Sequence, residues 1–393
     1  MVSQPTEHAV ITPQMLEDVR KRIGVEFTPR DYPFWNTQAN WDSVRQYCWG
    51  IGEDNPLFND AEYAKKSTWG TNVVPFNFLY SVYWCTGRYG LPGIHGWHSG
   101  NDWKLFKPIL ANDTISYTVK VTDLQEKKSQ MAGRTFIEYC TATYRNQRNE
   151  IVATALGWSV RAERKASGEK GKYRDIQAAT YSPEQLQKLA HQVIDEKPRG
   201  GEPRYWDDVK VGDETTPIIK GPLSMRDMFA YIMGGGSPFM KAHRIFYKYT
   251  MHHPGAVMID STTGQIDVPE LVHMEQSRAQ EIGIPGAYDY GCQRMSWLIH
   301  GIYDWMSDYG FCKRMYGELR RFNVVGDTQW IKGKVTKKWV DEKTKEHLVQ
   351  MDVWAQNQRD EISAPGWAVI RLPTRKDNLK DYVASLKKGT PPE

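Results

Sequence analysis

The 393 residues carry 51 Lys and Arg against 47 Asp and Glu, a formal net charge of +4. That balance, with no basic tract, excludes a general nucleic-acid binder while leaving room for a small phosphorylated ligand. Charged residues at 25% and hydrophobic ones at 40% are globular proportions, and the length suits two domains better than one core.

Cys48, Cys85, Cys140, Cys292 and Cys312 are scattered and form no Cys-x-x-Cys pair, so neither a disulfide framework nor a zinc site is indicated. Dispersed thiols fit a reducing compartment. The start, MVSQPTEHAV, lacks the basic-then-apolar pattern of a secretory signal, and no apolar run reaches the ~18 residues of a membrane span. A cytoplasmic protein is expected.

In chain order, Asn40-Trp41-Asp42-Ser43 opens a helix through VRQYCWGI, and Glu53, Asp54 and Asn55-Pro56 read as an ordered turn. An apolar, helical segment closes over Ser81 to Thr86. Residues 113–122 (DTISYTVKVT) alternate polar with β-branched or aromatic side chains, the period of a half-buried strand. Two more strands flank a turn at Asn146-Gln147-Arg148-Asn149. ASGEKGKYRD reads as a linker, followed by a connecting helix with Ser182 as N-cap and Pro183 in first position. Residues 234–264 form an insertion in which AHRIFYKYTMHH suits a short helix, a lid or an interface. His252-His253-Pro254 has no third ligand at metal spacing and reads as loop. Gly291 to Ser307 places Met295, Leu298, Ile299, Ile302 and Trp305 on a buried helix, ahead of three further strands. After about Leu372 the tail is charged and expected to be peripheral.

These elements occur twice. FKPILANDTISYTVKVT resembles RRFNVVGDTQWIKGKVT, NQRNEI answers NQRDEI, and ALGW answers APGW. The offsets are 214, 211 and 209 residues, measured from Asp113 to Asp327, Asn146 to Asn357 and Gly157 to Gly366. Preserved order with slow drift is what small deletions leave in a duplicated unit. A long helix followed by an antiparallel sheet, twice, predicts an α+β fold. The expected divisions are 1–165, a connecting segment 166–203, 204–375, and a tail 376–393.

DSVRQYCWGIGEDNPLFNDAEY (42–63) resembles the hydratase motif of MaoC-like proteins, Gly-Asp-x-Asn-Pro-(Leu/Ile)-His-x-Asp, and IDVPELVHMEQSRAQEIGIPGAYDYG (266–291) resembles it again. The resemblance implies a tandem, or double, hotdog of the hydratase 2 and FAS1-like dehydratase type. Aligned, Phe58-x-Asp60-x-x-x-Ala64 answers His273-x-Glu275-x-x-x-Ala279 at an offset of 215 residues. The family's catalytic pair is an Asp and a His. The first copy holds Glu53 and Phe58 there, and a phenyl ring transfers no proton. The second retains His273, with Asp267 the nearest preceding acid.

The resemblance thus implies an acyl-CoA hydratase or dehydratase, adding water reversibly to a trans-2-enoyl thioester. His273 and Asp267 would handle the protons, and Gly291 would admit the thioester oxygen to backbone donors at a helix start. Asp289 and Tyr290 would tune the site. Phe58 would widen the acyl-binding half for a bulky or long chain. Arg294, Arg320 and Arg321 would meet coenzyme A phosphates. Coenzyme A enters as part of the substrate, and no cofactor, metal, nucleic acid or membrane span is expected. A homodimer or higher homo-oligomer is expected. A hotdog thioesterase and a non-catalytic acyl-CoA-binding subunit are the alternatives.

Overall fold

The computed structural model describes residues 9–29, 35–129, 133–163, 176–260 and 263–392. The alternating segments form strands His95–Leu105, Ser116–Ser129, Gly133–Arg145 and Ile151–Ala162 in the first copy. The second copy answers with Phe311–Glu318, Gln329–Val340, His347–Asn357 and Ile362–Arg371. The repeated turns work identically. Asn146 Oδ1 accepts the N–H groups of Arg148 and Glu150, both at 3.0 Å. Asn357 Oδ1 accepts those of Arg359 and Glu361 at 2.9 and 3.1 Å. Asn149 (φ 60°) and Asp360 (φ 59°) take the left-handed position in each, a conformation these residue types tolerate.

Both copies belong to one ten-stranded antiparallel sheet. Its order is 26–27, 116–129, 133–145, 151–162, 95–105, 311–318, 362–371, 347–357, 329–340 and 218–220. The order reads the same outward from the centre on either side. The copies join where His95–Leu105 pairs with Phe311–Glu318, Arg314 opposite Lys104 and Glu318 opposite Gly100. Pairing edge to edge leaves neither copy an open central strand.

The helix Gly291–Met306 has 16 residues, and burial takes in polar members such as Gln293, Ser296 and His300 as well as its apolar stripe. Helices enclosed on most sides are central elements rather than surface ones. The opening helices Trp41–Ile51 and Met225–Gly235 cross closely at glycines: a Cβ on Gly234 would lie 2.2 Å from Gln46 O.

The first copy departs from expectation. In place of a long central helix it has one 3-10 turn, Phe76–Phe78, and one α turn, Leu79–Val82. The chain then runs irregularly to His95 through TGRYGLPG, where Gly87 and Gly93 adopt φ of 65° and 75°. Two left-handed glycines and a proline within eight residues stop a helix that flanking similarity alone suggests.

The connecting helix is Pro183–Ile194, with a Ser182/Gln185 capping box. The polar linker before it, residues 166–175, lies outside the described residues. The tail is not peripheral: Leu379–Lys388 is a helix that buries Tyr382, Val383 and Leu386. It also reaches the first copy, since Lys387 Nζ donates to Trp69 O at 2.7 Å. Its i, i+1, i+4 apolar pattern is that of a docked helix, and its charges occupy the other face. Among the described residues no helix is long and apolar enough to cross a membrane.

Candidate active site

The missing first-copy helix leaves space, and that space meets the start of the second copy's helix. Two cavities adjoin there. One, of about 410 Å³, is lined by Trp97, His98, His273, Tyr288, Tyr290, Gly291, Cys292 and Arg320 among others. The second, of about 550 Å³, lies against the irregular segment 83–96 and the inserted helix His243–His252. Trp84, Thr86, Arg88, Gly96, His273 and Tyr288 border both.

His273 ends the 3-10 segment Pro269–His273. Its Nδ1 lies 2.9 Å from Tyr288 O, which can only accept. Nδ1 therefore carries the proton and Nε2 presents a lone pair. The ring stacks on Tyr290 with centroids 4.1 Å apart. Burial, with the Arg88 charge adding to it, pushes the imidazole down to about 4 despite its hydrogen bond to Tyr288. His273 is thus a neutral base held in one tautomer.

Asp267 is not its partner. It sits in a two-residue ribbon opposite Met258, its Oδ1 accepts the Val268 N–H at 2.8 Å, and it lines neither cavity. The acid beside His273 is Glu270. Three residues apart on a 3-10 turn, the two project on the same side. Glu270 is 5% exposed, and burial raises its carboxyl to about 7. Ser237 donates to Oε2, the Tyr290 phenol lies alongside, and Oε1 has no hydrogen-bond partner among the described residues. A signal for it did exist. At the offset of 215, Glu270 answers Asn55, the motif asparagine, while the motif's Asp position answers Val268. Replacing Asp267 by Asn is therefore expected to leave turnover at the wild-type level, whereas Glu270→Gln lowers it; steady-state assays of both variants check this.

Gly291 forms the cavity wall at the helix start. A Cβ there would lie 2.5 Å from His98 Nδ1 and 2.7 Å from Leu319 Cδ1. The first N–H groups of a helix have no acceptor within it, so those of Gly291 and Cys292 are available where the positive dipole end points. His98, on a first-copy strand, was not singled out by its sequence context. Its Nε2 lies 2.8 Å from Asn101 Oδ1, and burial with the Arg88 charge lowers it to about 4. Ser237 and Arg88 are likewise visible only in the fold.

The other residues divide. Tyr290 belongs to the site. Arg320 and Arg321 border its mouth with side chains 62% and 44% exposed. Asp289 and Arg294 also border it, but they are spent on each other. Arg294 Nε donates to Asp289 Oδ2 at 2.7 Å, Nη1 donates to Arg321 O, and Asn323 Nδ2 adds 3.0 Å to the same carboxylate. Arg294 is therefore not a phosphate ligand, because its fork is filled from within. Phe58, expected to widen an acyl-binding half, lines neither of the two cavities. It is buried edge-on against Tyr303, centroids 5.0 Å apart, beside a residual gap of about 30 Å³. The motif region of the first copy is filled with aromatic rings, and the open space comes from the broken helix instead. His252 ends the inserted helix rather than lying in a loop, and His253 stacks on Tyr249 with centroids 4.3 Å apart.

A different cavity lies against Glu53, Lys220, His300 and Asp304. The ligand atoms of Glu53, His300 and Asp304 fall within 4.8 Å of one another. Lys220 Nζ donates to Ile51 O and Gly52 O and lies 2.7 Å from His300 Nδ1. An ammonium there uses the Nδ1 lone pair and leaves Nε2 protonated toward the carboxylates. The donor set fits an internal ion cluster joining the copies better than a metal. Glu53 also accepts the Asn55 N–H at 3.0 Å, and Asn55 caps Leu57, so this turn is ordered as expected.

Residues 21–155 match the family model described as FAS1-like, dehydratase domain region. No curated protein sequence matches the chain. Among solved structures, one named MaoC-like dehydratase is 17% identical, with 91% of this chain and 99% of that one covered and a TM-score of 0.60. A MaoC domain protein dehydratase from Chloroflexus aurantiacus J-10-fl is 14% identical, covering 90% and 96%, TM-score 0.55. A MaoC-like dehydratase from Phytophthora capsici is 13% identical, covering 92% and 99%, TM-score 0.50. At such identities the likeness speaks to architecture alone. Residues 21–155 thus match the FAS1-like dehydratase domain model, and the chain as a whole has the double hotdog fold of solved structures named MaoC-like dehydratases.

Proposed function

We propose that the protein is a hydratase or dehydratase acting on a trans-2-enoyl thioester of coenzyme A, with the second copy carrying the chemistry. The carrying observation is a neutral His273, its Nδ1 fixed on the Tyr288 carbonyl, on one turn with a protonatable Glu270 beside a helix start. In the hydration direction His273 Nε2 takes a proton from water as the oxygen bonds to C3. Electron density moves onto the thioester oxygen, where the Gly291 and Cys292 N–H groups would stabilise it. Glu270 delivers its proton to C2, and exchange with solvent returns His273 and Glu270 to their starting states. Dehydration reverses each transfer. Arg320 and Arg321 would meet the coenzyme A phosphates at the mouth. Coenzyme A is part of the substrate, and the reaction requires no other cofactor.

The test is loss of the conjugated-thioester absorbance when purified protein meets enoyl-CoA substrates. Release of free thiol without hydration would point to a thioesterase instead. The pH dependence follows from the two groups. His273 must be neutral to act as base, so kcat/KM rises with pH through about 4. Glu270 must be protonated to act as acid, so the hydration rate falls through about 7. A bell with those limbs is expected from initial rates. An alkaline limb unchanged in Glu270→Gln would remove Glu270 from the acid role.

A further inference from the structure

Where the two cavities meet stands a guanidinium that forms no ion pair among the described residues. Arg88 comes from the glycine-rich break in the first copy and borders both spaces, as His273 does. Its Nε reaches Thr86 Oγ1 at 3.1 Å and its Nη1 reaches Gly96 O at 3.3 Å. Both acceptors are neutral. Among the described residues no carboxylate lies within the 4.0 Å of an ion pair. Neighbouring arginines are treated differently: Arg161 is matched by Glu138 at 2.8 Å, and Arg294 by Asp289. Glu270, the acid sharing the second cavity, is within reach of the Arg88 charge, which favours its ionised form, but it takes its hydrogen bond from Ser237 and forms no ion pair with Arg88.

A partly buried cation beside tyrosines and neutral imidazoles gives up hydration without a hydrogen-bonded counter-ion. Such a group is well suited to an anion that arrives with the ligand, because the guanidinium fork binds carboxylates through paired donors. Its position narrows which part of the ligand that is. Arg88 borders the same junction as His273, whereas Arg320 and Arg321 border the first cavity only. The anion is therefore near the reacting carbons, away from the coenzyme A phosphates.

We propose that Arg88 is a specificity residue and that the acyl group bears a carboxylate close to its double bond, making the substrate class the coenzyme A thioesters of short unsaturated dicarboxylic acids. This rests on the enoyl-thioester reading above. It replaces the expectation of a long apolar chain, whose methylenes would leave the guanidinium facing hydrocarbon.

Two measurements test it. The first compares kcat/KM for 3-carboxyacrylyl-CoA and crotonyl-CoA in the wild type and in Arg88→Met, which keeps side-chain bulk over Gly96. Wild type should prefer the carboxylated substrate, and Arg88→Met should reduce that ratio about 10- to 100-fold, the strength of a hydrogen-bonded charge. Arg88→Lys should restore part of it. A parallel fall on both substrates, leaving the ratio intact, would assign Arg88 to the thioester oxygen and overturn the proposal. The second is calorimetric binding of succinyl-CoA and butyryl-CoA, neither of which can be hydrated. Tighter succinyl-CoA binding that vanishes in Arg88→Met supports the proposal; equal affinities in the wild type overturn it. Absence of turnover with the succinyl-CoA preference intact would defeat the hydratase reading and leave the Arg88 assignment standing.

Discussion

His273→Asn is expected to lower kcat/KM on enoyl-CoA by about 10²- to 10⁴-fold, the usual contribution of a positioned proton-transfer group. Asparagine is the informative replacement. Its amide nitrogen occupies nearly the place of Nδ1 and can keep the donation to Tyr288 O, which spans 2.9 Å. Alanine would leave that carbonyl without its donor, at a cost of about 1–3 kcal/mol, and would mix instability with lost chemistry. The melting temperature of the Asn variant should therefore stay near wild type while turnover collapses. Retained turnover on a responsive substrate would end the assignment. Glu270→Gln tests the other half of the unit. If the two groups act in one concerted transfer, the double variant should be little slower than the slower single one.

The sequence showed the sheet better than the site, for a physical reason. Strand segments announce themselves through a period of two, and the Asn146 and Asn357 turns are closed by their own side chains, so both features are local. The helix Gly291–Met306 is legible because its apolar stripe must match a sheet on several sides. The first copy's helix misled because neighbouring strands repeat while TGRYGLPG does not; similarity around a gap says nothing about its interior. The acid was missed by spacing. Asp267 is the residue type the motif asks for, but a 3-10 turn aligns residues three apart, which selects Glu270. Arg88 and His98 are some 180 residues before His273 in the chain, and only the junction of the copies brings them to it.

Arg294→Ala is expected to destabilise the fold by about 3–5 kcal/mol, as breaking one side of a buried ion pair generally does. Asp289 would be left inside with only Asn323 and no counter-ion, its side chain 0% exposed and that of Arg294 3%. Chemical denaturation should show a lower midpoint with an unchanged slope. Replacing both, Asp289→Leu with Arg294→Met, should recover much of the loss, because neither residue then leaves a stranded charge. The contrast with the surface arginines is the sharper point. Arg320→Ala and Arg321→Ala should raise KM for coenzyme A thioesters and leave the denaturation midpoint near wild type, since both side chains are largely solvated. Asp289 lies between Tyr288, whose carbonyl holds His273, and Tyr290, whose ring stacks on it. Loosening the ion pair should consequently lower kcat as well as stability, although Arg294 itself transfers no proton. A variant with reduced stability but full kcat at low temperature would show that His273 is held by its own packing and not by this pair.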